Sequence, residues 1–209
     1  MTITMKRGSV VANMSMSLDG FVESRDGGVG EVFAWTTSGT QSTTSPGDRE
    51  FRTSKASAEL LREAMAHVGA LVCGRTLFDL THGWNGRHPT GAPVFVVTHS
   101  PPADWPHDNA TFVTDGVAAA VERAQAVAEG RTVAIASADI ARQCLDLGLL
   151  DGIMVDLVPV ILGAGRPFLA GVTHTVWLED PVITEGDGVT HLYYAVRKDG
   201  WRPPRHENG

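Results

Sequence analysis

The sequence predicts a single α/β domain built on a mostly parallel sheet, with an antiparallel pair of strands at its C-terminal end. Three observations predict it. Short apolar runs bounded by turn residues recur at 70–73, 93–98 and 132–135, and such runs suit strands covered on both faces. Segments with helical spacing separate these runs, which is the order of a parallel sheet with crossover helices. The last two β-rich runs, 175–178 and 189–197, have no helix between them, only Pro181 and a Gly-Asp-Gly turn at 186–188, so they read as a hairpin.

The elements follow in order. Val10-Val11-Ala12-Asn13-Met14 is the first strand. Residues 18–50 are rich in Gly, Ser, Thr and Asp, with Trp35 the large exception, and read as one long functional loop. Residues 54–68 place Ala58, Leu61, Met65 and Val68 at helical spacing, with Ser54 or Thr53 as the cap. Residues 70–73 form the second strand and 76–80 a short helix. Residues 93–98 form a third strand, which His99-Ser100-Pro101-Pro102 ends. A short strand at 111–113 precedes an Ala-rich helix that starts at Asp115 or Gly116 and runs to Ala128. Residues 132–135 are another buried strand, and 137–147 a helix stopped by Gly148. Residues 152–161 read as a long strand in which Pro159 implies an edge or a bend. The tail at 202–209 reads as frayed.

Composition narrows the function classes. The chain has 209 residues, 43% hydrophobic and 20% charged, with a formal net charge of −7. That is one soluble globular domain with no basic tract, so nucleic acid and anionic membrane are poor partners. The two cysteines, Cys73 and Cys144, sit in an apolar run and in a helix, outside any metal-ligand spacing. No zinc site or disulfide framework is expected, and a reducing compartment follows. Lys6 and Arg7 are not followed by an apolar run, and no segment approaches the length of a membrane span, so a cytoplasmic protein is expected.

Ligands of open α/β sheets bind outside the carboxyl ends of the strands. Three such ends carry small or polar residues suited to phosphate or ribose. Gly74-Arg75-Thr76 joins a strand to a helix start, where free backbone N–H groups and an Arg suit an anion. Thr98-His99-Ser100 follows a wholly apolar strand, and Ala136-Ser137-Ala138-Asp139 opens a helix. Taken singly, each also reads as a capped turn or a plain strand exit. Together they point to a dinucleotide. The chain has neither the G-x-G-x-x-G of a Rossmann domain nor the G-x-x-x-x-G-K-[ST] of a P-loop.

These residues, with Asn13 to Phe21 (NMSMSLDGF) and 140–165 (IARQCLDLGLLDGIMVDLVPVILGAG), resemble the dihydrofolate reductase-like superfamily. The nearer likeness is to the reductase domain of the bifunctional deaminase-reductases of riboflavin biosynthesis, in stand-alone form, over residues 8–198. The resemblance implies a three-layer fold, NADPH as cofactor, and reduction of a pyrimidine- or pterin-like heterocycle or its attached sugar. It also implies a homodimer formed through the C-terminal strands. Carried over by position, Gly74, Arg75 and Thr76 hold phosphate, and Arg75 favours NADPH over NADH. Thr98 and His99 face the adenosine end, Ser137 with Ala138 the pyrophosphate, and Asp19 the nicotinamide. Asn13, Ser17, Trp35, Gly163 and Gly165 fall on the substrate side. Two departures stand out. Ala136-Ser137 replaces the usual Gly-Gly or Gly-Ala pair, and 36–45 contains no Asp or Glu, which removes support for a dihydrofolate substrate.

Several readings stay open at this level. Asp19 is the candidate catalytic group, or an Asx-turn residue at a tight corner. Asp48 and Glu50 either close over the pocket or begin a helix. The segment His82-Gly83-Trp84-Asn85-Gly86-Arg87-His88-Pro89 either grips a phosphate or an aromatic ring, or is a surface loop anchored by Trp84. Arg166 meets a substrate phosphate, a dimer partner or solvent. The chain is an NADPH-dependent reductase, or a non-catalytic NADP-binding sensor or scaffold. No deaminase zinc signature is present.

Overall fold

A computed structural model describes residues 7–199, and the 202–209 tail lies outside them. The chain runs β1 (Val10–Ser17), β2 (Phe21–Ser24), α1 (Gly30–Phe33), a 3-10 turn (Ala34–Thr36), β3 (Gln41–Thr44), β4 (Glu50–Thr53), α2 (Lys55–His67) and β5 (Val68–Gly74). It continues through α3 (Arg75–Leu80), a second short turn (His82–Gly86), β6 (Val94–Val97), β7 (Ala110–Val113), α4 (Val117–Val127) and β8 (Thr132–Ile135). It ends with α5 (Ala138–Asp146), β9 (Gly152–Val158), β10 (Gly165–Pro167), β11 (Val182–Gly186) and β12 (Val189–Ala195).

Eight strands form the main sheet in the order β11-β12-β9-β1-β8-β5-β6-β7. The six from β9 to β7 are parallel, while β12 and β11 add antiparallel pairs at one side. The central strands β5, β6 and β8 are largely apolar on both faces because helices cover both. On one face α4 and α5 bury Ala120, Val121, Ala124, Ala141 and Cys144 against Val10, Ala12, Val72, Val133, Ile135 and Ile153. On the other, α3 sets Phe78 against Leu71, Cys73, Val94 and Val96, and α2 sets Leu60 against Val11 and Met154. Ser54 is the cap of α2, its hydroxyl accepting from the Ser57 N–H at 3.2 Å. Cys73 and Cys144 are buried free thiols, and burial pushes both up to about 12. No helix among the described residues is long and apolar enough to cross a membrane.

Three sequence expectations need correction. Residues 18–50 are not one loop: β2 pairs with β10, and β3 with β4, as two separate ribbons. A segment such as Gln41–Thr44, all polar, shows no apolar alternation and so gives no strand signal. Pro159 marks neither an edge nor a bend in a strand. The strand β9 is internal, between β1 and β12, and stops at Val158, because a residue without an N–H cannot continue the ladder. The hairpin partner of β12 is Val182–Gly186, and 175–178 contributes only a Leu178–Val196 bridge. The pairing of Gly186 with Val189 leaves Asp187-Gly188 as a two-residue loop, with Gly188 at φ +70°. A turn that tight forces the residues just before it into the pair.

Candidate active site at the carboxyl edge

The sheet opens where β8 ends. Ile135, its last residue, pairs with Ala12 on one side and Val72 on the other. Beyond that point β1 runs on from Asn13 to Ser17 beside β9 alone, and β5 runs on through Cys73 and Gly74 beside β6. A slot therefore separates β1 from β5 at the carboxyl edge. Asn13 is exposed although it sits in the middle of an eight-stranded sheet, because the slot lies over it.

The three strand-end loops meet around this slot. The Gly74 N–H donates to Ser137 Oγ at 2.9 Å, which ties the end of β5 to the start of α5. Ser137 stands at the N-cap of α5, but its hydroxyl does not cap that helix. The first turn of α5 has no side-chain cap, an arrangement that suits an anion. Arg75 ties β5 to the β6 exit: Nη1 donates to the Ser100 carbonyl at 2.6 Å, while Nε donates to Asp79 at 2.7 and 2.8 Å. Thr98 is buried and spends its hydroxyl on Ser100, accepting from its N–H at 3.2 Å, which shapes the turn; His99 is exposed beside it. The sequence placed these loops on one edge, and the structure joins them to one another.

Asp19 lies at the far side of the β1 exit. Its carboxylate accepts from Ser17 Oγ at 2.6 Å, from the Leu162 N–H at 3.1 Å and from the Gly163 N–H at 2.7 Å. The Ser17 hydroxyl, helped by those two N–H groups, holds the carboxyl below its ordinary range. Asp19 thereby latches the β1–β2 turn to the segment after β9. Ser17 is fully buried and also accepts from the Phe21 N–H at 3.0 Å. Gly165 pairs with Ser24, and a Cβ there would lie 1.8 Å from the Glu23 carbonyl oxygen, so only glycine fits. Trp35 is 4% exposed, donates from Nε1 to Ser15 Oγ at 3.1 Å, and presents no free face to a ligand. Of the residues read as substrate-side, Asn13 faces the slot; Ser17, Gly163 and Gly165 shape the adjoining turns.

Sequence reasoning missed a buried polar chain under the slot. His191 Nδ1 lies 2.7 Å from Asp156 Oδ1, and His191 Nε2 lies 2.9 Å from Ser57 Oγ. The signal was available: Asp156 and His191 are polar residues inside the apolar strands IMVDLV and VTHLYY, where an unpaired charge is costly.

The 82–89 segment does anchor on Trp84, whose ring meets Phe78 and His88 edge-on at 6.3 and 4.6 Å. His82, Gly83, Trp84 and Asn85 all lie in the left-handed region, at φ 49°, 55°, 52° and 51°. An open cavity of about 380 Å³ lies between this turn and 47–49, lined in part by Arg49, Trp84 and Arg87. Arg87 pairs with Asp48 and donates from Nη2 to the Pro46 carbonyl at 2.7 Å.

A family model for the RibD C-terminal domain matches residues 8–188. The chain belongs to that family. A search of curated protein sequences returned no match. Among solved structures, the RibD-domain chain is similar to a protein from Shewanella sp. PV-4 assigned to riboflavin biosynthesis. That match has a TM-score of 0.69 and 17% identity, over 91% of this chain and 99% of that one. It is similar to a Thermotoga maritima diaminohydroxyphosphoribosylaminopyrimidine deaminase/5-amino-6-(5-phosphoribosylamino)uracil reductase, with a TM-score of 0.59 and 13% identity. There it covers 91% of this chain and 57% of the longer two-activity protein. Dihydrofolate reductase from Enterococcus faecalis, solved as a complex with NADP(H), matches at a TM-score of 0.53 and 14% identity over 93% of this chain and 99% of that one. At such identities the likeness establishes a shared dihydrofolate reductase-like fold. The family membership supports an oxidoreductase of the riboflavin-pathway kind.

The RibD-domain residues at the slot fit a phosphorylated dinucleotide. An uncapped first turn begins α5, Gly74 and Ala138 bring backbone close to the edge, and Arg75 supplies a planar cation. The Arg75–Asp79 pair spans one helical turn with side chains 36% and 53% exposed. Such a surface pair is worth only about 0.3–0.5 kcal/mol, so a phosphate can compete for the guanidinium.

Proposed function

We propose that this RibD-domain chain is an NADPH-dependent reductase of a small, polar, pyrimidine-type heterocycle or its attached sugar. One observation carries the reading. The three strand-end loops suited to a dinucleotide are hydrogen-bonded to one another around a slot that opens over Asn13. NADPH, when bound, supplies the hydride. The N–H groups at the start of α5 hold the pyrophosphate, and Ser137 keeps that helix in line with Gly74. Arg75 keeps its Nη2 donors for the 2′-phosphate while Nη1 braces the β6 exit and Nε holds Asp79 one helical turn on. His99, exposed at the β6 exit, meets the adenosine end. Asn13 meets the heterocycle on the floor of the slot.

Asp19 takes a different part from an acid. A carboxylate held ionised by three donors has no proton to give at neutral pH. We assign it the latch between the β1 exit and Gly163, which fixes one wall of the slot. The same observation favours a second reading, a non-catalytic NADP-binding protein, since no acid is left at that place. Turnover separates the two. NADPH oxidation with 5-amino-6-(5-phosphoribosylamino)uracil or an unphosphorylated analogue is expected for the reductase and not for the binder. Thermal melting should show a larger shift with NADPH than with NADH. Arg75→Ala should erase that difference. No shift with either dinucleotide would overturn the cofactor reading, and an unchanged preference in Arg75→Ala would reassign the 2′-phosphate to another residue.

A further inference from the structure

The buried chain beneath the slot has the connectivity of a Ser-His-Asp triad, but Ser57 is 1% exposed and no acyl group can reach it. Asp156 is acceptor-only as a carboxylate, so His191 Nδ1 must carry the hydrogen between them. With a neutral imidazole, His191 Nε2 accepts from the Ser57 hydroxyl, and Ser57 Oγ accepts from Ser54 Oγ at 3.0 Å. The Trp35 ring closes the other side of His191 edge-on at 5.1 Å, and Asp156 is the one charged group among these contacts. Gly186 leaves the room: a Cβ there would lie 2.2 Å from Ser57 Oγ. At its other end Asp156 Oδ2 accepts from Asn13 Nδ2 at 3.4 Å.

We infer that Asp156, locked by His191 and Ser57, is the positioning residue for Asn13, and that it sets which hydrogen-bonding edge the slot offers its ligand. This rests on the reading of the slot as a heterocycle site. An Asn amide facing a carboxylate must turn its Nδ2 toward it, because two facing oxygens repel. Asn13 Oδ1 and the second Nδ2 hydrogen are then left for the slot. That pair complements a lactam edge, an N–H beside a C=O, as in a uracil ring. The variant Asp156→Asn reverses the logic. With Ser57 still donating to His191 Nε2, Nδ1 keeps its hydrogen, so the amide introduced there offers its oxygen to His191 and its nitrogen to Asn13. Asn13 would then flip, show only donors to the slot, and reject an N–H donor.

The test has two arms. In side-chain amide NMR of the wild-type chain, one Asn13 Nδ2 proton should exchange with water roughly tenfold more slowly than those of the exposed Asn85. Asp156→Asn should abolish that difference and shift both Asn13 signals. Asn13 exchange equal to that of Asn85 overturns the inference without any variant, and so do unchanged Asn13 signals in Asp156→Asn. In the second arm, 5,6-diaminouracil should bind the wild type roughly tenfold more tightly than its N,N-dimethylated ring analogue, and Asp156→Asn should lose that discrimination. Equal binding of the two by the wild type overturns the selectivity. Binding of neither, with the Asn13 signals as expected, overturns the pyrimidine reading while the orientation of Asn13 stands.

Discussion

Removing the Ser137 hydroxyl isolates the bond that joins two of the three loops. Ser137→Ala leaves the Gly74 N–H without its acceptor. A neutral bond of 2.9 Å contributes a net 0.5–1.5 kcal/mol, roughly, and an orphaned N–H costs about 1–3 kcal/mol. The site is tight. A Cβ built on Gly74 would find both Ser137 Oγ and Ile140 Cγ1 at 3.5 Å, so the space vacated by one oxygen has little room for water. Gly74 is half-buried rather than fully enclosed, which sets the cost at about 1–2 kcal/mol. For a chain of 209 residues that is a fall in melting temperature of roughly 2–8 °C. Scanning calorimetry of Ser137→Ala against Ser137→Thr reads it directly, since Thr keeps the hydroxyl and its β-branch suits the extended backbone at φ −160° and ψ 132°. The Ala variant should also lose affinity for NADPH, because the start of α5 is no longer registered to Gly74. Equal melting temperatures for Ala, Thr and the wild type would refute the claim that this hydroxyl binds the loops together.

Two further outcomes concern pH. Burial, with Arg49 nearby, pushes His88 down to about 4 from 6.5, and its Nδ1 already accepts from the Thr90 N–H at 3.2 Å. Between those values the unfolded chain binds a proton that the folded one does not. Stability is therefore full above about pH 6.5 and falls toward pH 4, by at most about 3 kcal/mol and less because the ring keeps some contact with water. Urea melts of His88→Gln should show a flatter slope across that window; an identical slope would contradict the burial of a neutral ring. Asp19, whose folded carboxyl is held low, stabilises above its ordinary range near 3.8 and loses that contribution as pH falls below it. Asp19→Asn sets an amide against the Gly163 N–H, so hydrogen exchange at Leu162 and Gly163 should quicken at neutral pH. Protection unchanged there would rule out the latch.

Much of this arrangement was legible in the sequence, and the reasons differ by element. The strand ends at Gly74, Thr98 and Ala136 were readable because wholly apolar runs stop there at small or polar residues. The bonds between those ends were not, because Gly74 and Ser137 are 63 residues apart and meet only through sheet register. Residues 18–50 hid two ribbons because strands such as Gln41–Thr44 bury almost nothing and so carry no pattern. The β12 partner was misplaced because 175–178 (Thr-Val-Trp-Leu) is more apolar than Val182–Gly186, while the turn, not hydropathy, decides the pairing. Trp35 reads as substrate-side from the family resemblance, by its position in the chain. Its indole is instead held by Ser15. Asp156 and His191 were visible as polar residues in apolar strands, yet only the register that sets them opposite each other shows their pairing.

The central claim is that a dinucleotide lies across the three joined loops at the carboxyl edge. A backbone amide NMR titration with NADPH tests it most directly. The predicted result is that the signals of Gly74, Thr76, His99 and Ala138 move together at one affinity, with Asn13 following as the slot fills. Movement confined to the cavity between 47–49 and Trp84–Arg87, with the edge loops unchanged, would contradict it.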